Sequence, residues 1–236
     1  MTDEEQNIKD AAIKFIKSHR KDILNQFCPQ SICYPADNPI SLFMAGSPGA
    51  GKTEVSKGFI RDREFKNIPM RIDADEIRAQ CPDYFGTNAH LFQEAANKGV
   101  NILYDYALAK SVNCIMDGTF AYGGAVQNIE RSLRRGRKIK IWFIYQDPIR
   151  AWEVTKAREA REARRVSKEV FINAFFKSRA NVRIVKELFG REIELNILIK
   201  DYESKIEDFW MNVSTSELDR IITSIYSIET LTNVLV

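Results

Sequence analysis

Residues 40–53 read Ile40-Ser-Leu-Phe-Met-Ala-Gly-Ser-Pro-Gly-Ala-Gly-Lys-Thr53, an apolar run passing directly into the pattern G-x-x-x-x-G-K-[ST]. A strand-like segment, a glycine-rich loop and then a helical segment is the context in which this pattern cradles phosphates. Glycines at 46, 49 and 51 let the backbone turn successive N–H groups toward one concavity. Lys52 is placed to reach β/γ-phosphates, and Thr53 to offer its hydroxyl to Mg²⁺. The helix expected from about Lys52 to Asp62 points its positive end at the same anion. Gly46, Ser47, Pro48, Gly49, Ala50, Gly51, Lys52, Thr53 and Glu54 are therefore the nucleotide-binding candidates, with ATP and Mg²⁺ as cofactors.

Working outward, residues 4–27 carry Ile8, Ala12, Phe15, Ile16, Ile23 and Phe27 near a 3.6 period and predict one amphipathic helix. Pro29, Pro35 and Pro39 make the connector to the first strand. Beyond the loop, strands are expected at 67–73, 112–117, 138–145 and 193–199. Helices are expected at 88–110, 123–135, 149–164 and 168–189, the last ending at Gly190, and Ser214–Glu217 is a capping box opening a final helix. Strands alternating with helices argue for an α/β fold, a three-layer αβα arrangement with a mainly parallel sheet. Ligands in such sheets bind beyond the C-terminal strand ends, where Gly46–Thr53, Asp73/Asp75, Asp117–Thr119 and Asp147 all fall. One domain over 1–236 is expected, with a helical extension at 1–39, a core at 40–200 and a helical segment at 201–236.

Composition narrows the function classes. A net charge of +3, from 35 basic and 32 acidic residues, is too small to argue for a nucleic-acid partner. The absence of any run of about 18 apolar residues argues against a membrane span. The acidic start, Met1-Thr-Asp-Glu-Glu, is unlike a secretory signal, so a cytoplasmic protein is expected. Cys28, Cys33, Cys81 and Cys114 lack zinc spacing and are read as reduced thiols, with a Cys28–Cys33 bridge as the minority alternative.

Phosphoryl transfer needs a phosphate cradle, a metal, positioned cations and a group that orients or deprotonates the acceptor. Asp73 and Asp75 stand at i, i+2 and would share a face in extended chain. Asp75 is the candidate general base, and Asp73 is a substrate-side or helix-capping acid. The alternative is that both merely complement a helix dipole. Asp117 ends an apolar strand and is read as a metal- and substrate-side acid, with Thr53 as the other metal candidate. Thr119 adds a substrate-binding hydroxyl. Arg158, Arg161 and Arg165, spaced by three and four, predict one helix face of guanidiniums that closes over a γ-phosphate. The alternative is a solvated charged helix.

Together, Gly46–Thr53, Ile72-Asp-Ala-Asp-Glu-Ile-Arg78, Asp117-Gly-Thr119 and the Arg158–Arg165 cluster resemble the zeta-toxin family, over roughly residues 20–190. The resemblance implies a P-loop kinase with an arginine-bearing helical lid. It would use ATP and Mg²⁺ to phosphorylate the 3′-hydroxyl of the sugar in UDP-N-acetylglucosamine, with an antitoxin as partner. It carries Lys52 over as phosphate ligand, Thr53 as metal ligand and Asp75 as base. Asp117 and Thr119 become substrate contacts, and Arg158 and Arg165 lid arginines, with Arg161 and Arg164 competing for those places. The departures are Asp117 where the family commonly has Glu, Asn101 where it places an acid, and a shorter lid interval. They fall on the acceptor side and bear on substrate identity. Competing expectations are a kinase for another acceptor (an antibiotic, a nucleotide or a nucleic-acid end) and a non-catalytic nucleotide-binding module.

Overall fold

The computed structural model describes residues 2–61, 67–163, 165–223 and 225–235. Among these, six strands form one sheet: β1 (Ile40–Ala45), β2 (Met70–Asp73), β3 (Cys114–Asp117), β4 (Lys138–Tyr145), β5 (Ile193–Lys200) and β6 (Ile206–Trp210). Their order is β2-β3-β1-β4-β5-β6; the first five are parallel, and β6 runs antiparallel on β5. The order reverses at β1, which has β3 on one side and β4 on the other. That is the topological switch point where such sheets open a crevice, and the phosphate loop leaves β1 there.

Alternation along β1 builds the layers. Leu42 and Met44 face a cluster with Val55, Phe59 and Ile60 of α3 (Lys52–Arg61), while Phe43 and Ala45 join the large core on the opposite face. That core takes Ala12 and Ile16 from α1 (Asp3–Ser18), Ile23 from α2 (Arg20–Phe27), and Leu103, Tyr104 and Ala107 from α5 (Gln93–Ala109). It also takes Ile129 from α6 (Ala125–Leu133) and Val182 and Val185 from α8 (Lys168–Phe189). Short α4 (Ala74–Arg78) follows β2, and α7 (Pro148–Glu162) follows β4. A third cluster joins Ala151 and Trp152 of α7, Phe171 and Phe175 of α8, and Leu231 of α10 (Ile228–Val234). Ser214 and Glu217 form the expected capping box of α9 (Thr215–Ile221).

The expected α/β class and three-layer arrangement are present, and several boundaries differ: besides shifts of a few residues at β3, α5 and α6, four changes stand out. The N-terminal helix is two, because the chain leaves helical geometry at His19 (φ −98°, ψ 24°). Strand β2 begins at Met70, after Pro69. Segment 201–236, expected to be helical, opens with β6, whose side chains are mostly exposed and so lack a clean apolar period. Helix α7 ends at Glu162 because Ala163 turns left-handed (φ 55°). Asp62 and Arg164 lie outside the described residues.

At the sheet end remote from the loop, buried Arg137 ties the strand starts together. It donates to the carbonyls of Ile40 (2.9 Å), Val112 (2.6 Å) and Ala107 (3.2 Å) and to Ser41 Oγ (2.7 Å). Arg137→Ala would strand several buried acceptors. It should lower the unfolding free energy by about 3 kcal/mol in urea denaturation.

Candidate active site

Three strand ends and one helix converge on the phosphate loop. The Lys52 side chain is buried and bends back across its own loop, Nζ donating to the Ser47 carbonyl at 2.6 Å. Burial pushes its pKa down to about 8; Asp117, Arg158, Asp75 and Glu54 then act on it in that order, the carboxylates raising it and Arg158 lowering it. These four side chains therefore lie within electrostatic reach of one ammonium group. The fold assembles in space what the chain spreads from residue 52 to residue 158.

Helix α7 reaches the loop through Gly49. With φ +75° that residue is in a region side chains rarely adopt, and a Cβ would overlap the Ala151 carbonyl oxygen and lie 2.7 Å from Thr155 Oγ1. Ala151, Thr155 and Arg158 stand at i, i+4 and i+7, so the face pressed on the loop also carries Arg158. Arg161 is exposed farther along the helix. Arg165 is exposed in the connector after Ala163, which corrects the expectation that it shares a helix face with Arg158 and Arg161.

Asp73 and Asp75 divide their tasks. Asp73 caps α4, Oδ1 accepting from the Asp75 N–H at 2.8 Å, while Oδ2 pairs with Arg71 at 2.5 Å. Because helix begins at Ala74, the two aspartates do not share a strand face as extended chain would have it. The Asp75 carboxylate is one-third exposed and accepts from Arg78 Nη1 at 3.2 Å; Arg78 is itself buried and steadied by Gln93 Oε1. Burial, and then Asp75 and Asp117, push Asp73 up to about 6, with Arg71 pulling the other way.

Asp117 is buried at the end of β3. Its Oδ2 accepts from Ser56 Oγ (2.7 Å) and from Arg71 Nε (2.8 Å) and Nη2 (2.7 Å). Burial weakens the hold of Arg71 on its proton, but Asp117 and Asp73 outweigh it and raise its pKa above the ordinary value. The Thr119 carbonyl accepts from Gly46 N–H, and its hydroxyl accepts from Ala121 N–H at 3.3 Å. Phe120 follows with φ 59°, a left-handed turn held by packing on Phe43 and by the Asn181 amide on its carbonyl. Asp147, at the end of β4, is occupied as the α7 cap and as acceptor for Tyr226 OH. Asn101 is exposed on α5.

Thr53 hydroxyl and Asp117 carboxylate are hard oxygen donors of the kind Mg²⁺ takes, and Asp117 Oδ1 has no protein partner among the described residues. No group of three or more His, Cys, Asp or Glu that could hold a metal occurs among those residues. The donor set thus fits an ion that keeps waters and phosphate oxygens as its other ligands.

A family model described as Zeta toxin matches residues 28–214. The chain belongs to the zeta-toxin family. The match spans the phosphate loop, both acidic strand ends and the arginine-bearing helix, so the P-loop kinase type of fold comes with it. A solved chain from the PezAT chromosomal toxin–antitoxin system of Streptococcus pneumoniae is similar at 17% identity and TM-score 0.68, covering 99% of this chain and 94% of that one. A chain of the AvrRxo1-ORF1:-ORF2 complex with ATP is similar at 12% identity and TM-score 0.62, covering 95% and 73%. At such identities the likeness is one of fold. No curated protein matches the chain.

Three residues of the site escaped the sequence reading. Arg71 was legible, since alternation in the four-residue strand Met70–Asp73 puts it on the face of Asp73. Ser56 is one helical turn beyond Thr53. Arg78 has no signal beyond the i, i+3 spacing to Asp75.

Two outcomes test this electrostatic picture. Arg71→Met would leave Asp117 and Asp73 buried without their counter-charge, and should cost about 3–5 kcal/mol of stability in denaturant titration. Adding Asp117→Asn should recover part of it. An anion in the loop should restore the Lys52 proton. At about pH 8.5, ATP binding should take up roughly half a proton or more, read as a dependence of calorimetric binding enthalpy on buffer ionisation enthalpy. Affinity should accordingly weaken as pH rises through about 8.

Proposed function

We propose that the chain is an ATP- and Mg²⁺-dependent small-molecule kinase that phosphorylates a hydroxyl of a nucleotide sugar, such as the 3′-OH of UDP-N-acetylglucosamine. It would act in the cytoplasm, held in check by a cognate antitoxin. The observation that carries this reading is the gathering of Arg158, Asp75 and Asp117 around buried Lys52. One cation set suits the phosphates, and a carboxylate stands beside it for the acceptor.

In this reading the phosphate-loop amides and Lys52 hold the β- and γ-phosphates of ATP. Thr53 and Asp117 would hold Mg²⁺, which when bound would supply charge neutralisation to the phosphates. Arg158, seated by the α7–Gly49 contact, offsets charge that builds up as the γ-phosphoryl group leaves. Asp75 accepts the proton of the acceptor hydroxyl as its oxygen bonds to phosphorus and the bond to the β-phosphate oxygen breaks. Arg78 holds that carboxylate in place through its Nη1 contact. Asp73, Asp117 and Thr119 line the acceptor side. Arg165, out on the connector, is the second lid candidate. The likeness of fold to chains from the PezAT and AvrRxo1-ORF1:-ORF2 systems supports an antitoxin partner in kind, not in identity.

Incubation with Mg·ATP and a panel of UDP-sugars should yield a product heavier by about 80 Da, one phosphoryl group. Lys52→Ala and Asp75→Asn should both abolish it, with Asp75→Asn still binding ATP. Arg158→Ala should lower kcat at least about tenfold, and more than Arg165→Ala. Full turnover by Asp75→Asn would remove the assigned base. Product formed only from a different class of alcohol would reassign the acceptor and keep the kinase.

A further inference from the structure

Lys200, the last residue of β5, brings a second ammonium group to the phosphate loop. Gly51 has φ +85°, and a Cβ there would overlap Lys200 Nζ and stand 2.8 Å from its Cε. The space that the missing side chain leaves beside the loop, one residue ahead of Lys52, is therefore filled by a cation. Glu54 Oε2 borders the same space, 3.4 Å from that Cβ position. Yet among the described residues no carboxylate lies within ion-pair distance of Lys200 Nζ. A positive charge placed against backbone that already points amides at an anion is repelled unless the anion is present.

The approach is fixed by the sheet. Lys200 arrives from β5, which lies beyond β4, whereas Asp117 and Asp73 arrive from β3 and β2 on the other side of β1. The turn behind it is anchored, since buried Gln146 donates through Nε2 to the Asp201 carbonyl at 2.8 Å. Asp117 and Asp73 mark the acceptor-side, γ-phosphate end of the site. A cation on the opposite flank meets the part of the nucleotide that ATP and ADP share.

We propose that Lys200 is a second cationic ligand of the nucleotide, binding its α/β-phosphate portion from the β5 side of the loop. The proposal rests on the ATP-site reading above. It is tested by calorimetric titration of the wild type, Lys200→Met and Lys200→Arg with ATP and ADP, with melting temperatures measured alongside. Lys200→Met should weaken ATP and ADP alike by about tenfold, as loss of one charge-assisted contact would. Lys200→Arg should recover most of the affinity. Unchanged ADP affinity in Lys200→Met overturns the proposal, whether the melting temperature moves or not. A loss confined to ATP overturns the α/β placement. A wild type that binds neither nucleotide sinks the ATP-site reading itself, an outcome distinct from the other two.

Discussion

One buried guanidinium makes the acidic β2–β3 edge of this sheet possible. Asp73, Glu76 and Asp117 are drawn together by the end of two short strands and the start of a helix, and Arg71 pairs with all three. Taking a carboxylate out of water costs several kcal/mol unless a partner and hydrogen bonds replace the lost hydration. With one arginine for three acids the compensation is incomplete, and Asp73 records the deficit by holding its proton up to about pH 6. Asp75 stands farther out, one-third exposed, and pairs with Arg78. The geometry thus separates one carboxylate that reaches solvent from two that are tied into the buried Arg71 network.

Much of this was legible in the chain. The phosphate loop, its strand and the alternation of strands with helices follow from glycine positions and apolar runs, and the fold class came with them. Strand β4 and helix α8 have the expected limits because each is marked by strong signals, an eight-residue segment whose only charged members are Lys138 and Lys140, and a Ser167 cap with Gly190. Other features depended on tertiary contacts. Strand β6 pairs by backbone to β5 while its side chains stay exposed, so no periodicity announces it. The end of α7 is set by the backbone of a single alanine, a residue that by propensity would continue the helix. Lys52, Asp75 and Arg158 were nameable from motifs. The bonds of Arg71 and Ser56 to Asp117 and the approach of Lys200 to Gly51 arise only when segments distant in sequence meet.

The same loop is shaped from two sides by what its glycines lack. At Gly49 the missing side chain admits a helix, and at Gly51 it admits a lysine. The residue pattern of the loop is usually explained by phosphate binding alone. Here the same positions also fix where Arg158 and Lys200 stand, so an alanine at either glycine would displace a neighbour as well as obstruct the backbone. Sequence freedom in the loop is limited by packing as well as by its ligand.

Helix α8 carries a consequence of its own. Ser178 accepts the Gly46 N–H at 2.6 Å, and one turn on, Asn181 donates to the carbonyls of Phe120 and Tyr122. The phosphate-loop half of the crevice and the half formed after β3 are thereby bolted to one rod of 22 residues. Hinge motion between those halves would have to shear both fastenings at once. The spacing between the two sides of the crevice is consequently dictated by a single helix, with Ser178 and Asn181 as its two fixed points.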